Sequence, residues 1–243
     1  HYFISQTFYP ANFPTVSADS LSKMRRKVLH TGLHFAPDAP YLIVHLLFLV
    51  NKDSASLLIE RLDELTPHWI LGLYYISVYF ADRGDLDKSI QILKKIVEID
   101  STFSLAYSHL GFVAENKGDW EEANKWRQLY VKQIQKKIVT GNPPKYALEY
   151  FSFGYALWQL RQYEKARIAF LEGNRIANNK NPIIHCYLSA VYADMGRYEV
   201  ALQECAVLRQ MGNVSFSTSV EATISHFLIG DFQRGEIVFN KML

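Results

Sequence analysis

The sequence predicts an all-α protein built from about six stacked helix-turn-helix repeats. Three observations lead to this fold class: a short corner recurs along the chain, its copies are almost evenly spaced, and apolar residues follow a helical period on both sides of each corner. A fixed period of this length is the mark of a stacked repeat protein. No stretch shows the sustained two-residue alternation of a half-buried strand.

The recurring corner is clearest at Gly118-Asp119-Trp120, and related corners occur at 84–86, 161–163, 196–198 and 230–232. A small residue stands three places after the apolar member of each corner: Ser89, Ala123, Ala166, Ala201 and Gly235. A small or short residue also stands seven places before each corner: Ser77, Gly111, Gly154, Ser189 and Thr223. We expect these two sets to face each other on paired helices, so that the helix axes approach closely.

The copies begin at about residues 36, 70, 104, 147, 182 and 216, so the steps are 34, 34, 43, 35 and 34 residues. Within the second copy, Leu73, Ile76 and Phe80 precede the corner and Ile90 and Leu93 follow it at three- and four-residue spacing. This spacing predicts two helices, each with one buried stripe.

The step of 43 residues predicts an overlong second helix in the third copy. Its helical pattern continues through LYVKQIQKKIV until the tandem prolines after Gly141 end it. The pattern then divides the chain into three parts. Residues 1–35 form an irregular lead with a capping helix over about 20–35, residues 36–140 form repeats 1–3 with the extended last helix, and residues 141–243 form repeats 4–6.

Composition narrows the class of protein. The chain is 49% hydrophobic and 21% charged, which fits a folded protein, and its net charge of +2 is too small to indicate a nucleic-acid or membrane partner by itself. Its longest apolar run, residues 41–50, is half the length of a membrane span, so we expect no membrane span and a cytoplasmic location. A start at His1 rather than methionine leaves open a longer parent protein.

No catalytic or cofactor motif is present. The sequence lacks a phosphate-cradling glycine loop, a nucleophile elbow and a paired-cysteine zinc pattern, so we expect neither an enzyme nor a bound cofactor or metal. His30 and His34 have metal-ligand spacing but no acidic or thiol ligand nearby. Cys186 and Cys205 are expected to be free thiols, although a bridge between them stays open.

These features together resemble the tetratricopeptide repeat family, whose unit of 34 residues carries large and small residues at fixed positions. The third copy matches with Tyr107, Leu110, Gly111, Ala114 and Ala123, and the fourth with Tyr150, Phe153, Gly154, Leu157, Ala166 and Phe170. Arg127 and Gly173 depart from the pattern, and Gly173 is expected to leave a thinner packing surface. The resemblance covers about residues 36–243 and implies a right-handed superhelical solenoid.

The resemblance also implies that the first helix of every repeat lines a concave groove. The groove residues that could hold a partner are then Tyr74, Val78, Ser108, Phe112, Phe151, Tyr155, Trp158 and Cys186. This apolar and aromatic wall either binds a segment of another protein, or fills gaps between repeats, or is covered by the N-terminal lead.

We therefore expect a non-enzymatic scaffold that binds an apolar or aromatic partner segment, as an adaptor, a chaperone-like protein or a regulatory module. Two alternatives stay open. One is an RNA-binding helical-repeat protein, and the other is a structural scaffold that self-associates through the C-terminal repeat around Phe232, Ile237 and Phe239.

Overall fold

A computed structural model describes residues 18–211, which are helical apart from the turns between helices and contain no strand. The all-α fold class is thus confirmed. The chain divides into two compact units, with the boundary between Asp119 and Trp120. The predicted lead over 1–16 and the sixth copy from 216 lie outside the described residues. The division at residues 140 and 141 stays a prediction of the repeat pattern.

Unit 1 contains six helices in its described part, and each begins close to the position that the repeat pattern predicts. They are α1 Ala18–Phe35, α2 Pro40–Leu47, α3 Lys52–Leu65, α4 Ile70–Asp82, α5 Leu86–Ile99 and α6 Ser104–Asn116. Helix α2 packs on α1, α3 and α4, and α5 packs on α4 and α6. Contact between the first helices of neighbouring hairpins, as between α2 and α4, is how stacked repeats share a core.

Unit 2 repeats this arrangement. Its described helices are α7 Trp120–Val139, α8 Ala147–Gln159, α9 Tyr163–Ile176, α10 Pro182–Asp194 and α11 Tyr198–Gln210. Each packs on the next in order, and α8 also packs on α10. Helix α7 has 20 residues where its neighbours in the unit have 13 or 14, so the predicted overlong helix is confirmed.

The corners share one backbone geometry. Gly84, Gly118 and Gly196 have φ of 80°, 83° and 72°, and Arg161 adopts the same left-handed conformation with φ of 57°. In all four corners the residue that follows donates its N–H to the carbonyl five residues earlier, at 2.8–2.9 Å. This is the hydrogen bond of a Schellman motif, which closes the first helix and turns the chain into the second.

The small residues lie buried where paired helices approach each other. In unit 2 the Ser189 hydroxyl on α10 donates a hydrogen bond to the backbone carbonyl of Ala201 on α11, at 3.1 Å. In unit 1 Ser77 and Ser89 are completely buried, on the paired helices α4 and α5. A side chain larger than these would force the paired helices apart.

Gly173 corrects one expectation. A β-carbon added there would lie 3.0 Å from Cβ of Tyr150 on α8 and 3.3 Å from Cδ1 of Ile184 on α10. The glycine therefore marks a close approach of α9 to both neighbours, rather than the thin packing surface that its small size suggested.

Candidate functional site

The predicted partner residues of unit 2 lie on the first helices of its two hairpins, α8 and α10. Helix α8 starts after Pro143-Pro144, where a carboxylate oxygen of Glu149 accepts hydrogen bonds from the backbone N–H of Lys145 and of Tyr146. Helix α10 starts after Asn181, whose side chain accepts from the N–H of Ile183 at 3.0 Å. These caps satisfy backbone N–H groups at the two helix starts and so fix where each helix begins.

Phe151, Tyr155 and Trp158 are spaced four and three residues apart, so they share one face of α8. Each is half-buried. The rings of Phe151 and Tyr155 are 6.5 Å apart, and those of Tyr155 and Trp158 are 6.0 Å apart. The structure therefore brings together three of the residues predicted from the repeat positions.

Tyr187 on α10 completes this group, which we call the aromatic cluster: Phe151, Tyr155, Trp158, Phe170 and Tyr187. The Tyr187 ring lies 5.1 Å from Phe151, 5.6 Å from Tyr155 and 5.5 Å from Trp158, edge to face in each case. Edge-to-face rings at such distances attract each other beyond their shared buried area. Tyr187 is thus the centre of the cluster.

Phe170 on α9 is the base of the cluster. It is fully buried, and it stacks on Tyr187 at 5.8 Å. Gly154 on α8 makes room for it, because a β-carbon there would lie 2.8 Å from Cδ1 of Phe170. Phe170 therefore forms the buried base of the cluster, and the four half-buried rings are partly exposed to solvent.

Two polar groups of the cluster, the Trp158 indole and the Tyr155 hydroxyl, have hydrogen bonds within unit 2. Trp158 donates its indole N–H to a carboxylate oxygen of Asp194 at 2.5 Å, and the Tyr155 hydroxyl accepts from the Gln159 amide at 3.1 Å. The buried guanidinium of Arg127 lies 5.9 Å from the Tyr155 ring centre. What the cluster offers a partner is therefore mainly ring surface.

Cys186 is half-buried on α10 next to Tyr187, and its side chain is turned by about 100° about the helix axis from that of Tyr187. Both cysteines are free. Burial, and next the neighbouring Cys205, raises the pKa of the Cys186 thiol to about 12. Cys186 therefore stays protonated at neutral pH and is a poor nucleophile.

The predicted residues of unit 1 lie on α4 and α6. Tyr74 lies 5.6 Å from His109, ring to ring, and His109 stacks on Phe112 at 5.8 Å. Phe112 is 45% exposed. Val78 and Ser108 are half-buried, one turn from Tyr74 and Phe112 on the same helix faces.

Burial changes the ionisation of Tyr74 and His109. It raises the pKa of Tyr74 to about 12, with a smaller contribution from Tyr75, and it lowers the pKa of His109 to about 4. Nε2 of His109 is buried and has no hydrogen-bond partner in the part of the chain that the structure describes. His109 is therefore neutral at pH 7 and behaves as an aromatic residue beside Tyr74 and Phe112.

The mapping of groove positions missed His109 and Tyr187, which occupy the same place, the sixth, in their repeats. Each points toward the first helix of the preceding hairpin: His109 toward Tyr74, and Tyr187 toward Phe151. The sequence feature that could have revealed them is an aromatic side chain directly after a predicted groove residue, in the third and fifth copies.

Residues 18–211 contain no cluster of three or more histidine, cysteine, aspartate or glutamate side chains suited to a metal ion. His185 is buried, with Nδ1 2.6 Å from a Glu204 oxygen and Nε2 3.2 Å from the Asn174 amide nitrogen. This network links α9, α10 and α11 inside unit 2. Because His185 is buried and each of its ring nitrogens has a partner, we assign this network to the core of unit 2.

Residues 150–180 match the model of the tetratricopeptide repeat family. This segment is a tetratricopeptide repeat. It begins on α8 and continues through α9 to the residues before α10, so it contains four rings of the aromatic cluster. The resemblance to this family predicted from the sequence is confirmed for residues 150–180.

Solved tetratricopeptide-repeat structures share the fold of the chain. A protein of this family from Thermus thermophilus, TTC0263, has a TM-score of 0.56 at 21% identity over 74% of this chain and 94% of its own. YrrB, described as having an unusual peptide-binding site, has 0.51 at 14% identity over 76% and 90%. MamA from Desulfovibrio magneticus RS-1 has 0.50 at 14% identity over 79% and 96%.

No curated protein sequence matches the chain. Among residues 18–211, no helix is both long enough and apolar enough to cross a membrane. These comparisons establish the fold, and the partner must be argued from the surface of the repeats.

Proposed function

We propose that the chain is a non-enzymatic interaction scaffold whose aromatic cluster in unit 2 binds an apolar or aromatic segment of another protein. The observation that carries the proposal is the group of four half-buried rings around Tyr187. Such rings supply large contact area at a low cost in side-chain entropy, and aromatic anchors commonly dominate the energy of an interface.

The polar contacts of the cluster support an apolar partner. Trp158 and Tyr155 each already have a hydrogen bond within the chain, so a partner that covers these two rings need not supply a polar group for either bonded atom. The peptide-binding site described for YrrB supports the same class of function by analogy of fold alone. The role is then that of an adaptor, a chaperone-like protein or a regulatory module.

Tyr74, Val78, Ser108 and Phe112 form a second candidate contact surface, in unit 1. Its exposed part is the ring of Phe112. Its role in binding is tested separately, with the Phe112→Ala variant in the peptide-binding measurements described next.

The experiment is a selection of peptides from a random display library on the immobilised protein, followed by affinity measurements in solution. We expect enriched peptides to contain aromatic and aliphatic residues. The Tyr155→Ala/Trp158→Ala variant and the Tyr187→Ala variant should each bind them at least about thirtyfold more weakly, as loss of about 2 kcal/mol requires.

A matched control is Ile168→Ala/Leu171→Ala, which removes two exposed apolar side chains from α9 in the same unit. It should bind the selected peptides as the wild type does. Equal binding by the Tyr155→Ala/Trp158→Ala variant, with circular dichroism showing a folded protein, contradicts the proposal. Displacement of the peptides by RNA with a steep salt dependence would favour the RNA-binding alternative instead.

A further inference from the structure

A stripe of one leucine and two glutamates lies exposed on α3 of unit 1. Leu57, Glu60 and Glu64 are three and four residues apart, so they share one helix face, and Leu57 is 66% exposed. We call these three residues the acidic stripe. Glu60 and Glu64 form no ion pair with any residue in 18–211.

A cavity of about 350 Å³ opens beside the acidic stripe. The stripe lines it together with Asp38, Arg61 and Leu65. Arg61, the one cation of this lining, already donates to Asp38 at 2.6 Å, so the lining keeps a net negative charge. An occupant with aliphatic and cationic side chains would complement this surface.

A second stripe with the same spacing lies exposed on α7 of unit 2. It consists of Leu129, Lys132 and Lys136, again three and four residues apart, and we call it the basic stripe. Val139, one turn further, is 86% exposed. The sequence holds no acidic residue between Glu122 and Glu149, and neither stripe lysine has an ion-pair partner within residues 18–211.

Each stripe carries like charges at i and i+4, which destabilise an isolated helix by about 0.2–0.5 kcal/mol. The two stripes match each other residue by residue. Laid side by side in parallel, the helices would place Leu57 against Leu129, Glu60 against Lys132 and Glu64 against Lys136. The attraction between opposite charges on the two helices then offsets the repulsion within each helix.

We propose that the acidic stripe of one copy of the chain binds the basic stripe of a second copy. The contact joins different surfaces, so it is heterologous, and successive copies would form a ring or an open chain. One helix face on each side is smaller than the roughly 800 Å² per partner of a standard interface, so the association is weak. It is also weakened by salt, because both stripes are exposed.

The test is charge reversal followed by sedimentation velocity at low and high salt. We expect the wild-type mass average to rise with protein concentration at low salt and to fall back to the monomer at high salt. Glu60→Lys/Glu64→Lys and Lys132→Glu/Lys136→Glu should each be monomeric at the same concentrations. The quadruple variant, which exchanges the charges of the two stripes, should associate again.

Mixing the two double variants should also restore association, because each supplies a stripe that the other lacks. All four reversed side chains are exposed, and circular dichroism melting curves check that every variant is folded. A wild type that stays monomeric at low salt overturns the proposal. Association that persists in both double variants also overturns it and assigns self-association to another surface, such as the predicted C-terminal one.

The proposal of self-association through the stripes and the proposal of peptide binding by the aromatic cluster can be tested independently. Neither stripe shares a residue with the aromatic cluster, so the double variants should bind the selected peptides with unchanged affinity. Loss of self-association with intact peptide binding, or the reverse, distinguishes one failure from the other.

Discussion

A β-carbon added at Gly154 would lie 2.8 Å from both Cδ1 and Cε1 of the Phe170 ring, closer than such atoms approach in proteins. Phe170 is fully buried, so its ring has no free space into which to move. The contact between Gly154 and Phe170 therefore fixes both the spacing of α8 and α9 and the floor of the aromatic cluster.

Gly154→Ala should destabilise the protein although alanine favours helix. The change gains about 1 kcal/mol in helix propensity but forces the Phe170 ring to move, which costs about 1–3 kcal/mol. We expect a net loss of about 1 kcal/mol, measured by urea unfolding. Gly32→Ala is the matched control, because its new carbon meets only the flexible end of Leu42 at 3.0 Å. It should be neutral or stabilising, and an equal gain in both variants would contradict the close contact.

Arg161→Gly should stabilise the protein. Arg161 adopts a left-handed backbone at the corner position that Gly84, Gly118 and Gly196 occupy in three other described copies. A non-glycine residue in the left-handed region destabilises the folded state by about 1–2 kcal/mol. Glycine avoids this cost, but it makes the unfolded chain more flexible, which lowers stability by about 0.4–1 kcal/mol. We expect a net gain of about 0.5–1 kcal/mol. The reciprocal change, Gly196→Arg, should lose a similar amount, and a loss in both variants would show that the Arg161 side chain stabilises its corner.

Protonation of His109 should destabilise the fold in acid. Its folded pKa is about 4, below the ordinary value of 6.5, because burial disfavours the charged ring. The unfolded chain therefore binds more protons between pH 6.5 and pH 4, so stability is full above pH 6.5 and falls as the pH drops through this window. The loss is of order 3 kcal/mol once the pH is below about 4.

The His109→Phe variant isolates this contribution, because other groups also titrate in the window. Its free energy of unfolding should fall less than that of the wild type between pH 6.5 and pH 4. At neutral pH it should be more stable by about 1 kcal/mol, since it removes a buried nitrogen without a partner in the described chain. Parallel curves for wild type and His109→Phe would show that His109 is solvated.

The repeat architecture could be predicted from the sequence because its signals are local and recur. A turn could be predicted at Arg161, although it is not a glycine, because it occupies the corner position of its repeat. Paired small residues such as Ser189 and Ala201 predicted where the helices meet. Each of these features depends only on the position within the repeat, so every copy strengthened the inference from the others.

The centre of the aromatic cluster could not be predicted in the same way. Repeat positions indicate which side chains face the groove, but Tyr187 acts through contacts with the preceding hairpin. The hydrogen bond from Trp158 to Asp194 joins residues 36 positions apart, and nothing in either local sequence signals it. Gly173 was misjudged for a related reason, because a small residue suggests a gap until the neighbouring helices are placed.

The most direct test of the aromatic cluster as a binding surface is a titration of the isotope-labelled protein with a selected peptide. The chain has four tryptophans, at positions 69, 120, 126 and 158, so four indole N–H signals report on separate places. Trp158→Phe assigns the signal of the cluster. We predict that this signal shifts in proportion to peptide binding while those of Trp69 and Trp120 stay in place. A bound peptide that leaves the Trp158 signal unmoved would contradict the account.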